Sequence, residues 1–486
     1  MTFDLRAIAI FGVLALVYAV LPARARSWAL FVGSLIAIYW LQPPLPIRFS
    51  DYILPTATLA ITIAAWWWTR SPDQTSLSRD DLVSIGVMAL SVIGLSLFRF
   101  VEADYRLTPS RPPDPVMVIV ALSIIGVIYV ATARLTYRAD RRHIVTLGGV
   151  LIIGLFIVLK AEPLAKAISQ AWRGATGQDT SLASLIDLNW LGFSYVAFRW
   201  LHTLRDRQTG QLPALSLREY VTYIIFFASF TAGPIDRAER FVGDVRALPA
   251  LRGFDAERWA AGLSRIAIGV LKKFAIADLL AQGASLNAIN AAQIDNPLGL
   301  WALLYGYALR LYFDFSGYTD IAIGLGLLFG LHLPDNFNRP YLKTNITAFW
   351  QSWHMTLSAW ARAYVFSPLS RWLLMLQRRP SSTMIVLITQ LATMIVIGLW
   401  HGLALNFVLW GVWHGVALFV HKQWSDRTRK WYRGLKDKPA QKRLWTAFSW
   451  FITFQYVVIG WLWFALPDAG QAARLMLKLF GVATGD

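Results

Sequence analysis

Apolar stretches close to twenty residues long recur along almost the whole of this 486-residue chain. They fall near residues 5–21, 28–47, 52–68, 82–101, 115–135, 144–160, 188–204, 217–233, 259–281, 298–331, 382–399, 403–421 and 445–466. A helix needs about 20 such residues to cross the hydrocarbon of a bilayer. The pattern therefore predicts an all-α polytopic membrane protein with about 11 to 13 crossings. Composition agrees. Hydrophobic residues make up 56% of the chain and charged ones 15%, against roughly 25% charged in soluble domains. A soluble chain of this length needs more polar surface to cover its cores.

The net charge is +18. Much of it sits in short loops between apolar runs, which is the pattern of cytoplasmic loops. No basic patch lies on a soluble module, so no nucleic-acid partner is expected. Arg134, Arg138, Arg141 and Arg142 cluster in one loop, and Lys422 to Arg443 holds nine Lys or Arg against two Asp. Both loops are expected to face the cytoplasm, and Arg378 and Arg379 place the start of the 382–399 run there too. That run then turns near Gly398–Gly402, with His401 toward the outer half of the membrane. The loop 236–258 holds five Arg and five acidic residues and gives no direction. The 23 tryptophans suit helix ends at the lipid boundary.

Near the N-terminus an apolar run ends at Leu21 and Pro22 and is followed by Arg24 and Arg26. With a basic stretch there, a retained first helix is expected rather than a cleaved signal peptide. The block 161–187 reads as an outer loop or surface helix. The segment 343–376 mixes aromatic residues with Lys343, Gln351, His354, Arg362 and Arg371. It reads as re-entrant or interfacial, since irregular backbone at depth is tolerated only against protein or water. No internal repeat or soluble domain is evident. One membrane domain, 1–486, is expected, with N-terminal helices over 1–200 and the chemistry-bearing part over 201–486.

Ionisable residues inside a membrane ask for a reason. Asp314 and Asp320 lie in LYFDFSGYTDIAIGLG; as proton-relay groups they compete with a plainer reading in which Asp314 pairs with Arg310 one turn away. Asp335, Asn336, Asn338 and Arg339 lie in LPDNFNRPY, which reads as a turn whose polar side chains satisfy local backbone. His354 and His401 carry more weight, because imidazole suits proton transfer near neutrality. Gly398 and Gly402 flank His401 and admit a backbone or a substrate, while Trp350, Trp353, Trp400 and Trp410 can wall a dry pocket. His414 is placed on the same helical run as His401, nearly four turns away, and His143, His202, His332 and His421 at segment ends; all five read as structural. The chain has no cysteine, and neither an HExxH pattern, a phosphate loop nor a GxSxG elbow occurs. No resident metal or cofactor is expected. The residues alone leave a transporter, a flippase and an intramembrane enzyme open.

Five segments, in this order, change that balance: FFASFTAGPIDRAERF, LYFDFSGYTDIAIGLGLLFGLHLPDNFNRPY, ITAFWQSWHMTLSAWARAYVFSPL, GLWHGLALNFVLWGVWHG and TFQYVVIGWLWFALPDAGQAARLMLKLFG. Together they resemble the membrane-bound O-acyltransferase family, in the bacterial branch of alginate O-acetylation and D-alanine export. The resemblance covers residues 226–481; the first 200 residues match in hydropathy alone. It implies a ring of tilted helices with re-entrant segments around a thin centre and a central funnel. It implies transfer of an acyl group from a cytoplasmic thioester to a hydroxyl on the outer side, with His401 as the family's catalytic residue and His354, 47 residues earlier, as the second. The donor expected is acetyl-CoA, with a carrier-protein thioester as the alternative. The acceptor is an extracytoplasmic polysaccharide or cell-wall glycan, reached directly or through a periplasmic partner protein, in a bacterial inner membrane. D-alanyl transfer to teichoic acid is the alternative within the family. The sequence departs from the family pattern at Gln351 and Ser352, at Arg362-Ala363-Tyr364 and at Ala465. Both histidines stay in place, so the resemblance carries the chemistry further than it carries acceptor or partner.

Overall fold

Lipid offers no partner to a free N–H or C=O, so each apolar run closes its hydrogen bonds on itself as a helix. A computed structural model describes residues 4–71, 74, 76–136, 141–294 and 296–482, and among them there is no strand. Arg138, in the basic loop expected to face the cytoplasm, lies outside the described residues.

Among the described residues, five helices are long and apolar enough to cross a bilayer: Arg79–Phe100, Pro115–Arg134, Arg142–Lys160, Ser382–His401 and Pro439–Ala465. Leu5–Val20 is apolar but shorter. Other long helices, such as Pro297–Leu328 and Leu405–Gly434, carry polar residues along their length. Little of Pro115–Arg134 is fully buried by protein. Val116, Met117 and Ile128 on it are more than half exposed, as suits a lipid-facing helix.

The chain sorts into two compact bodies, one of Met1–Ile266 with Ile321–Leu333, the other of Ala267–Asp320 with Pro334–Asp486. In the first, the core gathers Phe31, Trp66, Trp200, Tyr220 and Phe226, all fully buried. Their polar edges are satisfied: Trp66 Nε1 donates to the Leu215 carbonyl at 3.0 Å and Trp200 Nε1 to Thr62 Oγ1 at 3.2 Å. Arg199 is buried too. Its guanidinium takes the carbonyls of Tyr223, Ile224 and Ser229 at 2.8–2.9 Å, where the Leu217–Ile225 helix ends. Cations suit that end of a helix. The block 161–187 contains the surface helix Glu162–Ala175, pinned by Arg173 and Ser169 to Asp187.

In the second body, the segment 343–376 breaks into short helices, Ile346–Trp350, Met355–Ala361 and Ser367–Met375, with a π-helical turn at Arg362–Phe366. None is long enough to cross. After it comes a tight helical hairpin, Ser382–His401 and Leu405–Gly434. Small residues let its arms touch. A Cβ on Gly411 would lie 2.7 Å from Ile395 Cα, and one on Gly398 would lie 2.2 Å from the Phe407 carbonyl oxygen. Close approach through small residues is the usual currency of helix association in membranes.

Candidate active site

The turn LPDNFNRPY is stitched to the start of the Met355–Ala361 helix. Asn336 is fully buried. Its carbonyl accepts the Met355 N–H at 2.9 Å, and its side-chain Oδ1 accepts from Thr356 Oγ1 at 2.6 Å and Thr356 N–H at 3.3 Å. The Asn338 N–H closes the seam on the Ser352 carbonyl at 3.0 Å. These bonds hold His354 in a left-handed conformation, φ 42°, rare for a residue with a side chain. Arg339 in the same turn shares it, φ 46°.

The same amide assigns the His354 tautomer. A backbone N–H can only donate, so the Asn336 atom facing Thr356 is the oxygen. His354 Nδ1 lies 3.2 Å from that oxygen and therefore carries the hydrogen. In the neutral ring the lone pair is on Nε2. Nε2 is buried and meets no hydrogen-bonding group among the described residues.

His401 is the last residue of its helix, where the chain turns through Gly402–Ala404. Both flanking glycines answer to Phe407, Gly398 to its carbonyl and Gly402 to its ring, where a Cβ would come to 2.5 Å. They serve close packing of protein. The His401 ring stands edge-on to Phe464 at 4.7 Å and to Trp410 at 5.8 Å. The Trp400 ring neighbours both imidazoles, its centroid 6.1 Å from His354 and 4.5 Å from His401.

His354 and His401 line one cavity of about 40 Å³, walled by Phe315, Trp350, Trp353, Trp410, Trp461 and Phe464 together with Leu311, Leu357 and Ile397. That volume holds a water or a small reacting group. The apolar wall makes every polar contact inside count for more than in water. Three of the four expected tryptophans line it. Trp461 and Phe464 join from the last motif, unforeseen because no local pattern singles them out.

Other expectations need correction. His414 does not continue the helix of His401. It lies on the returning arm of the hairpin, fully buried, with its ring 4.9 Å from Trp410, which in turn touches His401. Its Nδ1 accepts from Trp350 Nε1 at 3.4 Å. Asp314 pairs with Lys273, across from it, rather than with Arg310. Asp320 pairs with Lys272 at 2.6 Å. Both lysines sit on a π-helical turn, Leu271–Ala277, whose wider spiral directs neighbouring residues toward one helix. Asn336 does more than satisfy its own turn, since it orients His354. Asp335, Asn338 and Arg339 are exposed. His202 is buried in the first body, 2.8 Å from Asp206.

The family model for membrane-bound O-acyltransferases matches residues 142–461. A probable alginate O-acetylase of Pseudomonas aeruginosa is 32% identical over 297 residues, 60% of this chain and 52% of that protein. A teichoic acid D-alanyltransferase of Bacillus subtilis is 32% identical over 284 residues, 57% of this chain and 69% of that protein. A peptidoglycan O-acetyltransferase of Helicobacter pylori is 32% identical over 269 residues, 54% of this chain and 47% of that protein. The chain thus spans about half the length of the Pseudomonas and Helicobacter relatives. With the family pattern running through more than half of its residues, both histidine segments included, the chain belongs to the membrane-bound O-acyltransferase family.

Proposed function

We propose that this multi-pass membrane protein transfers an acyl group, acetyl in the first instance, from a cytoplasmic thioester to a hydroxyl of an extracytoplasmic polysaccharide or cell-wall glycan. One observation carries the reading: two imidazoles line a single aromatic-walled cavity, and one has its tautomer fixed by a buried amide. His401 is the general base. It takes the proton of the acceptor hydroxyl as the oxygen attacks the thioester carbonyl; the C–O bond forms, the C–S bond breaks, and the thiolate leaves with that proton. Positioned base catalysis contributes about 10²–10⁴-fold. The imidazolium formed in between sits at the carbonyl end of its helix, where positive charge is favoured. His354 offers a lone pair at Nε2, so it orients the acceptor by accepting a hydrogen bond from a neighbouring hydroxyl. Acetyl-CoA is the donor, in a bacterial inner membrane, and a periplasmic partner completes the transfer where the glycan is remote.

The test uses inverted vesicles and labelled acetyl-CoA. Label should reach a lumenal ester with the wild-type chain and fall at least a hundredfold with His401→Ala inserted at equal level. Wild-type turnover in that variant would remove His401 from the chemistry. A D-alanyl thioester on a carrier protein is the second reading, favoured by the Bacillus relative of that name, whose own length is covered more fully than that of the other two. Transfer of labelled D-alanine but not acetate would select it. Neither label reaching product would favour a transporter or flippase.

A further inference from the structure

The first body holds a cluster for which the proposed reaction has no use. His202 and Asp206 lie one turn apart on the Phe193–Gln208 helix, and both are buried, 1% and 2% exposed. Glu239, in the first turn of the Ala238–Ala247 helix, stands beside them. His202 Nε2 is 2.8 Å from Asp206 Oδ2 and 3.8 Å from Glu239 Oε2.

The far side of the ring fixes what Nε2 is. The Tyr223 hydroxyl donates its one proton to the Asp236 carbonyl at 2.7 Å, so toward His202 Nδ1, at 3.2 Å, it can only accept. Nδ1 carries the hydrogen, and the neutral ring turns a lone pair toward two carboxylates. A lone pair and a carboxylate oxygen 2.8 Å apart need a proton or a cation between them. A proton on Nε2 would hydrogen-bond to Asp206 at 2.8 Å and leave Glu239 at 3.8 Å, paired in charge without a bond. A cation serves all three, and the three donor atoms lie within 4.8 Å of one another. Around a tetrahedral ion with bonds of about 2.0–2.1 Å, donors stand roughly 3.3 Å apart, and the observed 2.8 and 3.8 Å straddle that value.

Two further details fit. Glu239 divides its oxygens, Oε1 toward Arg237 at 3.3 Å and Oε2 toward the cluster. The bond from His202 Nδ1 to Tyr223 is the outer-shell contact that metal-bound imidazoles make. Nearby Arg240 is engaged by Asp236 and Asp244. Glu239 is partly exposed, so the cluster meets solvent on that side. One imidazole with two carboxylates is a donor set for zinc or manganese rather than for magnesium or calcium. The geometry points to His202, Asp206 and Glu239 as a site for one divalent transition-metal ion, zinc foremost, tying the Phe193–Gln208 helix to the start of the Ala238–Ala247 helix.

The full-length protein in detergent, stripped with a chelator, is incubated with zinc chloride and desalted; bound zinc is then measured by mass spectrometry and thermal unfolding is recorded. The expected result is one zinc per chain and a higher melting temperature with zinc than without. Glu239→Gln, which leaves the buried His202–Asp206 pair intact, should weaken zinc binding at least tenfold while keeping the zinc-free melting temperature. His202→Ala should abolish it. Absence of stoichiometric zinc in the wild type, or zinc binding by Glu239→Gln and His202→Ala equal to wild type, would overturn the site and leave a protonated His202 paired with Asp206.

Discussion

Gly398 tests whether the hairpin sets the position of His401. A Cβ there would sit 2.2 Å from the Phe407 carbonyl oxygen, about 1 Å inside an ordinary carbon–oxygen contact of roughly 3.2 Å. The obstacle is backbone, so no rotamer change relieves it. Gly398→Ala must part the two arms by about 1 Å near their tip, at an overpacking cost of about 1–3 kcal/mol. His401 follows three residues later on the same helix and moves with it. A misplacement of 1 Å at a reacting group costs on the order of 10²-fold in rate. The assay is labelled acyl transfer in vesicles, normalised to inserted protein, beside a melting curve in detergent. Gly434→Ala, on the returning arm with nothing within 4 Å of its Cβ, is the matched control and should retain full activity. Wild-type turnover in Gly398→Ala would refute the argument, because it would mean that the arms separate without moving His401 or that its placement does not matter.

Three further outcomes follow from contacts already described. Asn336→Leu removes the acceptor of His354 Nδ1 and Thr356, which costs about 1–3 kcal/mol for each donor stranded; acyl transfer should fall at least tenfold in protein that still inserts, and unchanged transfer would show that the ring is held by other means. Asp320→Asn strands Lys272 and should destabilise by about 3 kcal/mol, with Lys272→Met in the same chain recovering most of the loss in a melting assay; a double variant as unstable as the single one would deny the pairing. The Arg173 guanidinium, bonded to Asp187, holds that carboxyl down from 3.8 to about 2. The folded value lies below the unfolded one, so this contribution, on the order of 2 kcal/mol, is complete above roughly pH 4 and drains away as pH falls through 2. Proteolysis of the 176–187 loop should therefore accelerate across that window in the wild type and be nearly flat, and faster at neutral pH, in Asp187→Asn.

Much of the helical plan could be read from length and hydropathy alone, because a bilayer imposes one answer on a long apolar run. His354 and His401 could be read as candidates from their chemistry and from the order of motifs around them. Their shared cavity could not, since it depends on a broken segment folding back toward a hairpin tip. The role of Asn336 was hidden for the same reason: eighteen positions separate it from His354, and only the seam to Met355 and Thr356 closes that gap. Asp314 shows a local rule losing to a tertiary one. Arg310 is its neighbour by helical spacing, yet Lys273 is its partner, because a π-helical turn reorients two adjacent lysines. His414 shows the cost of counting helical turns across a reversal: it follows His401 closely in the chain, but the backbone turns back between them at Gly402–Ala404. His202 and Asp206 have helical spacing, but a third donor on a separate helix leaves no pattern along the chain.

The left-handed backbone at His354 bears on how its chemistry should be interrogated. Alanine is the habitual replacement, and at φ 42° it would keep the steric penalty of a Cβ while losing every bond the imidazole makes. Loss of activity would then mix a missing side chain with a relaxed loop. Asparagine tolerates this conformation better than other residues and presents a short polar group with no titrating proton. Glycine removes the penalty altogether. Comparing the two separates what the ring does from what the backbone requires, and only the first belongs to the reaction.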